Sequence, residues 1–303
     1  MATFKERTCT VKIYGEENDY NYATSKFTTE PVIISFTFPE TYIEFKISDI
    51  ESDKPNLCSL KVYGVSRQTY SQFHNKNFAK WKTQQFVEIY AGYDRDEELV
   101  YRGTISRVRY SFDFGKQYME LLLDHNMKKY AVQRKSICIN RQTTVFEAVN
   151  ILCKEFGYTL LCNNEEDLRK IQLKNVTFNG NLPQCLSQVL NKKMKYYIDN
   201  DNVIIYTSNN QLKKTYRLLF SNGLISYPVL DTNKLDEGEF YKINNKMIPS
   251  LRAGDVVEIP IDSDGLFANF DSGVYQKYVV QEYTTTFSPN SDSTEMECVL
   301  SNG

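Results

Sequence analysis

The 303-residue chain is short of the groups that catalysts most often use. It has two histidines, His74 in the polar stretch QFHNKNF and His125 at the end of a strand in LLLDHNMKKY. Neither has a serine elbow or a cysteine–histidine signature beside it, so both read as surface or turn residues, not as catalytic bases. A basic excess is missing too. Lys and Arg number 36 against 38 Asp and Glu, a formal net charge of −2, whereas a dedicated nucleic-acid binder needs cations to displace counterions. No run approaches the roughly 20 apolar residues of a membrane helix. The opening MATFKERTCT carries charge where a secretory leader is apolar, which points to synthesis and retention in the cytosol. The seven cysteines, at 9, 58, 138, 153, 162, 185 and 298, are odd in number and never two residues apart. That excludes a disulfide framework and a zinc knuckle, and they read as reduced core residues. No glycine loop has the spacing or the Lys-Ser/Thr of a phosphate cradle.

What the chain does have is aromatic residues, 22 Tyr and 18 Phe, a loading that favours strands. From residue 10 to about 130 strand follows strand: TVKIYG, VIISFTF, YIEFKIS, CSLKVYGV, FVEIYAGY, LVYRGTISRVRYSF and QYMELLLDH. Several show the alternation of half-buried strands, and turn signals at 53–56, 94–98 and 113–116 separate them. Only SRQTYSQFHNKNFAKW reads as a short helix or loop. Near residue 141 the period changes. TVFEAVNILCKEFG puts Thr144 and Glu147 in capping-box spacing, Val145, Val149, Leu152 and Phe156 on one face, and Gly157 at the end. Cys153, the partner nearest Cys162, falls within that apolar stripe and reads as packing, not as a metal ligand. A charged loop, the strand IQLKNVTF, a second helix opened by Pro183 and a hairpin turning at Asn200 and Asp201 complete a compact α+β module. From about 215 the β pattern returns in YRLLFSNGLIS, EFYKIN, GDVVEIPI, VYQKYVVQEYTTTF and EMECVL. The expected architecture is mainly β (α+β): a closed or nearly closed antiparallel barrel or sandwich over 1–135, a small α+β domain over 136–212 and a second, smaller β domain over 213–303.

The densest carboxylate clusters, DRDEEL and NNEEDL, read as solvated turn and loop charge. DTNKLDEGE at 231–239 and DSDGLFANFDSG at 262–273 match a calcium loop only loosely. The residues therefore point to no catalytic site, no metal and no cofactor. Aromatic strands without chemistry fit a core and an assembly surface.

NLCSLKVYGVSRQTYSQF followed by FVEIYAGYDRDEELVYRGTISRVRYSFDFGKQYMELLLDH resembles the first barrel of phage and contractile-injection baseplate hub proteins. KMIPSLRAGDVVEIPI, GVYQKYVVQEYTTTFSP and STEMECVLSN resemble their second barrel, and the middle segment resembles the small α+β domains inserted between the two. The resemblance covers nearly the whole chain. It implies two tube-type barrels per subunit and a homotrimer with six barrel positions in a ring. Such a ring joins a six-fold tail tube or distal tail protein to a three-fold spike, and it continues the conduit through which DNA passes without tight binding. Other baseplate proteins are further implied partners, with the virion tail as location and the host cytoplasm as place of assembly. Because the chain stops after the second barrel, the spike and any cell-wall enzyme are expected as separate polypeptides. The hairpin tip Asp94, Arg95, Asp96, Glu97 and Glu98, flanked by Tyr93 and Tyr101, is the candidate assembly contact with a neighbouring ring.

Two rival readings carry different expectations. A monomeric carbohydrate- or cell-wall-binding protein suits tyrosine-rich β domains, although sugar platforms lean on tryptophan and only Trp81 is present. A glycoside hydrolase would need an unrecognised carboxylate pair.

Overall fold

A computed structural model describes residues 6–16, 20–21, 26–27, 32–50, 57–74, 85–94, 96–113, 115–124, 133–162, 165–190, 194–199, 202–207, 214–232 and 239–301. The turns read at 53–56 and 200–201, together with Trp81, Arg95 and His125, lie outside the described residues.

The first segment runs β1 (Arg7–Glu16), β2 (Tyr20–Asn21), β3 (Lys26–Phe27), β4 (Val32–Phe38), β5 (Ile43–Ile50), β6 (Leu57–Tyr63), α1 (Arg67–His74), β7 (Gln85–Tyr93), β8 (Asp96–Asp113) and β9 (Lys116–Asp124). Strict alternation places the β6 side chains: Cys58, Leu60 and Val62 are buried while Ser59, Lys61 and Tyr63 face outward. The middle segment is β10 (Lys135–Thr144), α2 (Val145–Phe156), β11 (Thr159–Cys162), α3 (Glu165–Lys170), β12 (Gln172–Gly180), α4 (Leu182–Val189), β13 (Met194–Asp199) and β14 (Asn202–Thr207). Its helix α2 starts with the expected reciprocal cap between Thr144 and Glu147 and stops at Gly157, whose φ of 73° is open to glycine at little cost. The last segment is β15 (Thr215–Arg217), a short 3-10 turn, β16 (Leu224–Leu230), β17 (Phe240–Asn245), β18 (Val256–Pro260), β19 (Tyr275–Phe287) and β20 (Asp292–Leu300).

Three features differ from the sequence reading or add to it. NNEEDL is not all loop, because Glu165 opens α3, a six-residue helix held by Leu168 beneath and by Arg169–Glu165 and Lys170–Asp167 pairs on top. The stretch ahead of α2 is a ten-residue strand, β10, paired with β12. Of the cysteines, Cys9, Cys58, Cys153, Cys185 and Cys298 are buried, but Cys138 is exposed on β10 beside Asn140 and Thr177.

Apart from β2 and β3, which pair with each other, the strands of the first and last segments form one sheet, ordered β16-β17-β20-β19-β5-β6-β9-β8-β7-β1-β4, with β18 and β15 branching from β19. The two units repeat one another in it. In the first the order is β5-β6-β9-β8-β7, and in the last it is β16-β17-β20-β19-β18. Each contains one long strand that changes partner along its length. β8 pairs with β7 over Asp96 to Thr104 and with β9 over Thr104 to Asp113. One edge of β19 pairs with β18 up to Val279, and from Glu282 to Phe287 that edge takes β5 of the first unit.

Apolar side chains collect in three clusters. One, spanning Ile139 to Ile205, belongs to the middle module alone. A second fills the last unit around Ile243, Val257, Val280 and Met296. The first unit's cluster includes two residues from the last: Met247, and Phe287, which stacks on Phe45 at 5.3 Å and meets Phe38 edge-on at 5.6 Å. Phe38 ends β4 and Phe45 lies on β5, so the ring of Phe287 packs against a residue from each.

Candidate assembly interface

The hairpin at the centre of the sequence reading is shorter at its tip than the charges suggest. Tyr93 pairs with Asp96, so the strands continue into the acidic run and the turn begins at Asp94. Asp94 adopts φ 54°, and its carboxylate accepts the Glu6 backbone N–H at 2.8 Å, which ties the tip to the start of β1. Gly92 is required here because a Cβ would come within 1.8 Å of the Asp96 carbonyl oxygen.

The candidate residues divide by burial. Tyr101 is 1% exposed and lies in the first unit's core, stacked under the position of Gly103, so it faces inward and not toward a neighbour. Tyr93 donates its hydroxyl to Asp292 at the β19–β20 turn. Asp292 also lies 3.3 Å from Arg7 and accepts the Met247 backbone N–H at 3.1 Å, while Arg7 donates to the Pro289 carbonyl at 2.7 Å. Burial, reinforced by the Asp292 carboxylate, pushes the Tyr93 hydroxyl pKa well up, so it stays a proton donor. Arg252 adds a contact to the Leu99 carbonyl at 3.5 Å. The hairpin thus clasps its own second unit, while Asp96 and Glu98 remain exposed at the tip.

Behind the tip, Gln85 to Ile89 of β7 are buried on both faces. Glu88, at 5% exposure, survives there because every lone pair has a partner. Tyr14 and Tyr90 donate to one carboxylate oxygen at 2.6 and 2.7 Å, and Arg102 grips the other at 2.7 and 2.8 Å. Burial and the Glu88 bond push the Tyr90 hydroxyl up to about 12. The knot is a satisfied structural network.

Among the described residues nothing resembling a reaction centre accompanies it. A cleft of about 260 Å³ lies over β5, β17, β19 and β20, and its acidic members are Glu282, Glu295 and Glu297 without histidine or cysteine among the lining residues. Asp262 and Asp271, from the loose calcium pattern, accept backbone N–H groups of their own turns. Among the described residues no three His, Cys, Asp or Glu side chains are placed to hold a metal ion. No described helix is long and apolar enough to cross a membrane.

No family model matches the sequence, and no curated protein matches it. Solved structures do. The tail protein from Neisseria meningitidis MC58 superposes with a TM-score of 0.57 at 10% identity over 97% of each chain. The 43 kDa tail protein of prophage MuSo2 from Shewanella oneidensis gives 0.56 at 10% identity over 96% of each. The chain has the fold of phage tail and baseplate-hub proteins. A third structure, the c3393 protein of E. coli, is a type VI secretion component described as similar to the T4 tail proteins gp27 and gp5; it gives 0.54 at 10% identity over 86% of this chain and 74% of that one. At such identity the likeness is one of fold. It assigns no role to any side chain.

Proposed function

We propose that this chain is a non-enzymatic structural subunit of a phage or phage-like tail, which assembles as a homotrimeric ring between a six-fold tail tube and a separate three-fold spike and continues the DNA conduit. Its domains are those read from the sequence, 1–135, 136–212 and 213–303. One observation carries the ring. The two units share a strand order in which β5 corresponds to β16 and β19 to β8. Inside the chain, β5 of the first unit closes the edge of β19 in the last over six residue pairs. The corresponding edge of β8, beyond Thr104, and the outer edge of β16 have no ladder partner among the described residues. If the same joint is repeated, β16 of one copy closes on β8 of the next. Two like steps per subunit then give three subunits a pseudo-six-fold ring.

The edges have the character of an interface. Phe112 near the end of β8, and Ile225 and Val229 on β16, are 63%, 53% and 60% exposed, where an unprotected apolar edge invites pairing. Asp96 and Glu98 at the hairpin tip would then meet an adjoining ring, setting register and on-rate more than affinity.

The test is the mass of the purified chain in solution across concentration, with negative-stain imaging. A three-subunit ring with a central pore and a six-fold outline is expected, at high concentration or once tail-tube protein is added. A monomer under both conditions refutes the reading. Replacing Asp94, Asp96, Glu97 and Glu98 with Ser is expected to reduce particle assembly while the purified chain stays folded; assembly at normal yield removes the tip contact.

A further inference from the structure

The two units repeat one another down to single residues. Both long strands carry a bulge, between Ile105 and Arg107 in β8 and between Val280 and Glu282 in β19. Setting one bulge on the other places Val108 on Tyr283, Tyr110 on Thr285 and Phe112 on Phe287. The neighbouring strands agree: Val108 and Tyr283 stand opposite the buried Leu121 and Met296, and Phe112 and Phe287 stand opposite Gln117 and Asp292 across turns of equal length. The two phenylalanines are therefore equivalent, each the last residue on the core side of its strand. Their surroundings are not. Phe287 is 1% exposed because β5 lies alongside and Phe45, its direct cross-strand neighbour, stacks on it. Phe112 is 63% exposed, with Tyr110 of its own strand edge-on at 5.9 Å.

The strand that corresponds to β5 is β16. In the first unit Phe45 stands opposite Leu60, and Leu60 opposite Leu121. In the last unit Ile243 stands opposite Met296 and so takes the place of Leu60. Opposite Ile243, between the Ser226–Asn244 and Val229–Lys242 pairs, β16 bulges with Tyr227 and Pro228. Tyr227 is thus the counterpart of Phe45. Its half-buried ring stacks on Phe267 at 5.3 Å and meets Phe220 edge-on at 4.9 Å, and Leu266 and Phe270 stand exposed in the same loop as Phe267. The sequences around the two sites have opposite charge. Residues 107–116 hold Arg107, Arg109 and Lys116 against Asp113, whereas the loop 261–274 holds Asp262, Asp264 and Asp271, with Arg217 near Asp271.

We propose that Phe112 inserts beside Tyr227 of a second copy of this chain, into the aromatic site made with Phe220 and Phe267, as Phe287 does on Phe45 within one chain. The inference rests on the meeting of β8 with β16 between copies proposed above, and it adds the side chain that anchors the joint and sets its register. A slip of one residue turns Phe112 to the opposite face of the sheet, away from Tyr227. Burial of an exposed ring in an aromatic site is the kind of contact that dominates an interface. Each chain has one Phe112 and one Tyr227 site, so the contact runs head to tail around the assembly.

Sedimentation equilibrium of the full chain carrying Phe112→Ala tests it. Because the side chain is exposed in the single chain, its loss is expected to leave the melting temperature of the dilute protein unchanged. The dissociation constant of the joint is expected to rise roughly 30-fold, as for an interface hot spot. A second pair of variants locates the contact, each made with Cys138→Ser to remove an exposed thiol. Phe112→Cys chains mixed with Tyr227→Cys chains are expected to form an inter-chain disulfide under mild oxidation, since direct cross-strand neighbours lie within disulfide reach, and neither chain alone is expected to do so. An unshifted constant in Phe112→Ala, or assembly without the link, overturns this inference and leaves the ring standing. The link in a sample that never reaches a closed three-subunit ring supports this inference and overturns the ring alone. A monomer at every concentration with no link overturns both.

Discussion

Replacing Phe287 with Ala tests whether the two units share a core. The residue lies on β19 of the last unit, yet it is 1% exposed within the first unit's cluster, stacked on Phe45 and edge-on to Phe38. Truncating a buried Phe costs about 3–5 kcal/mol, and roughly 0.5–1.5 kcal/mol per lost ring pair falls within that. The location of the loss is more informative than its size. Hydrogen exchange followed on peptides from β5, β6 and β9 is expected to show weakened protection in the Phe287→Ala protein. The comparison variant Met296→Ala, from the last unit's own cluster, is expected to cost about 2–5 kcal/mol and to loosen β18 and β20 first. If Phe287→Ala leaves the first unit's protection untouched, the units are independent and the joint is superficial.

Glu88→Ala strips Tyr14, Tyr90 and Arg102 of a shared buried partner, and urea melts are expected to show a loss of about 3–5 kcal/mol, against about 1–2 kcal/mol for Tyr14→Phe. Because the folded Tyr90 hydroxyl is raised to about 12, its contribution to stability is present below the ordinary tyrosine pKa of about 10 and is lost as pH rises through 12; in Tyr90→Phe that alkaline decline should be shallower. Burial raises Asp255 to about 6, against the lowering effect of the Arg252 and Lys214 N–H groups. Its contribution is therefore greatest below about pH 4 and lost as pH rises through 6, and Asp255→Asn is expected to flatten stability against pH over that range. Gly92→Ala would drive a Cβ into the Asp96 carbonyl, and a drop in melting temperature well beyond that of an ordinary exposed Gly→Ala is expected on a thermal scan.

The parts of the fold legible in the sequence were those with local chemistry. The α2 cap, its apolar face and Gly157 act within one stretch of chain and appear in the structure as read. Helix α3 escaped because six residues with one buried side chain, Leu168, make no period to recognise. Its neighbour α4 is legible through Pro183, and the structure adds a reciprocal cap between Asn181 and Gln184. The hairpin tip misled because its acidic run continues the ladder: charge marked exposure, whereas pairing decided where the turn fell. Tyr101 was indistinguishable by composition from the exposed tyrosines. Only the register, with a bulge between Ile89 and Tyr90, turns it into the core. The clasp of Arg7 and Tyr93 on Asp292 and the β5–β19 ladder join residues more than 190 positions apart, and no local pattern announces such a partner.

The β5–β19 ladder also sets an order of events during synthesis. β5 is complete at Ile50, but the strand that covers its outer edge ends at Phe287. At typical translation rates of about 5–20 residues per second, roughly 10 to 50 s separate the two. Throughout that interval the nascent chain carries an uncovered strand edge and a core that still lacks the Phe287 ring. The first unit therefore cannot reach its final packing as it leaves the ribosome, and a polysome bearing several such chains brings identical open edges close together. Slowing translation late in the message lengthens that exposure, while a chaperone that shields β5 shortens its effect.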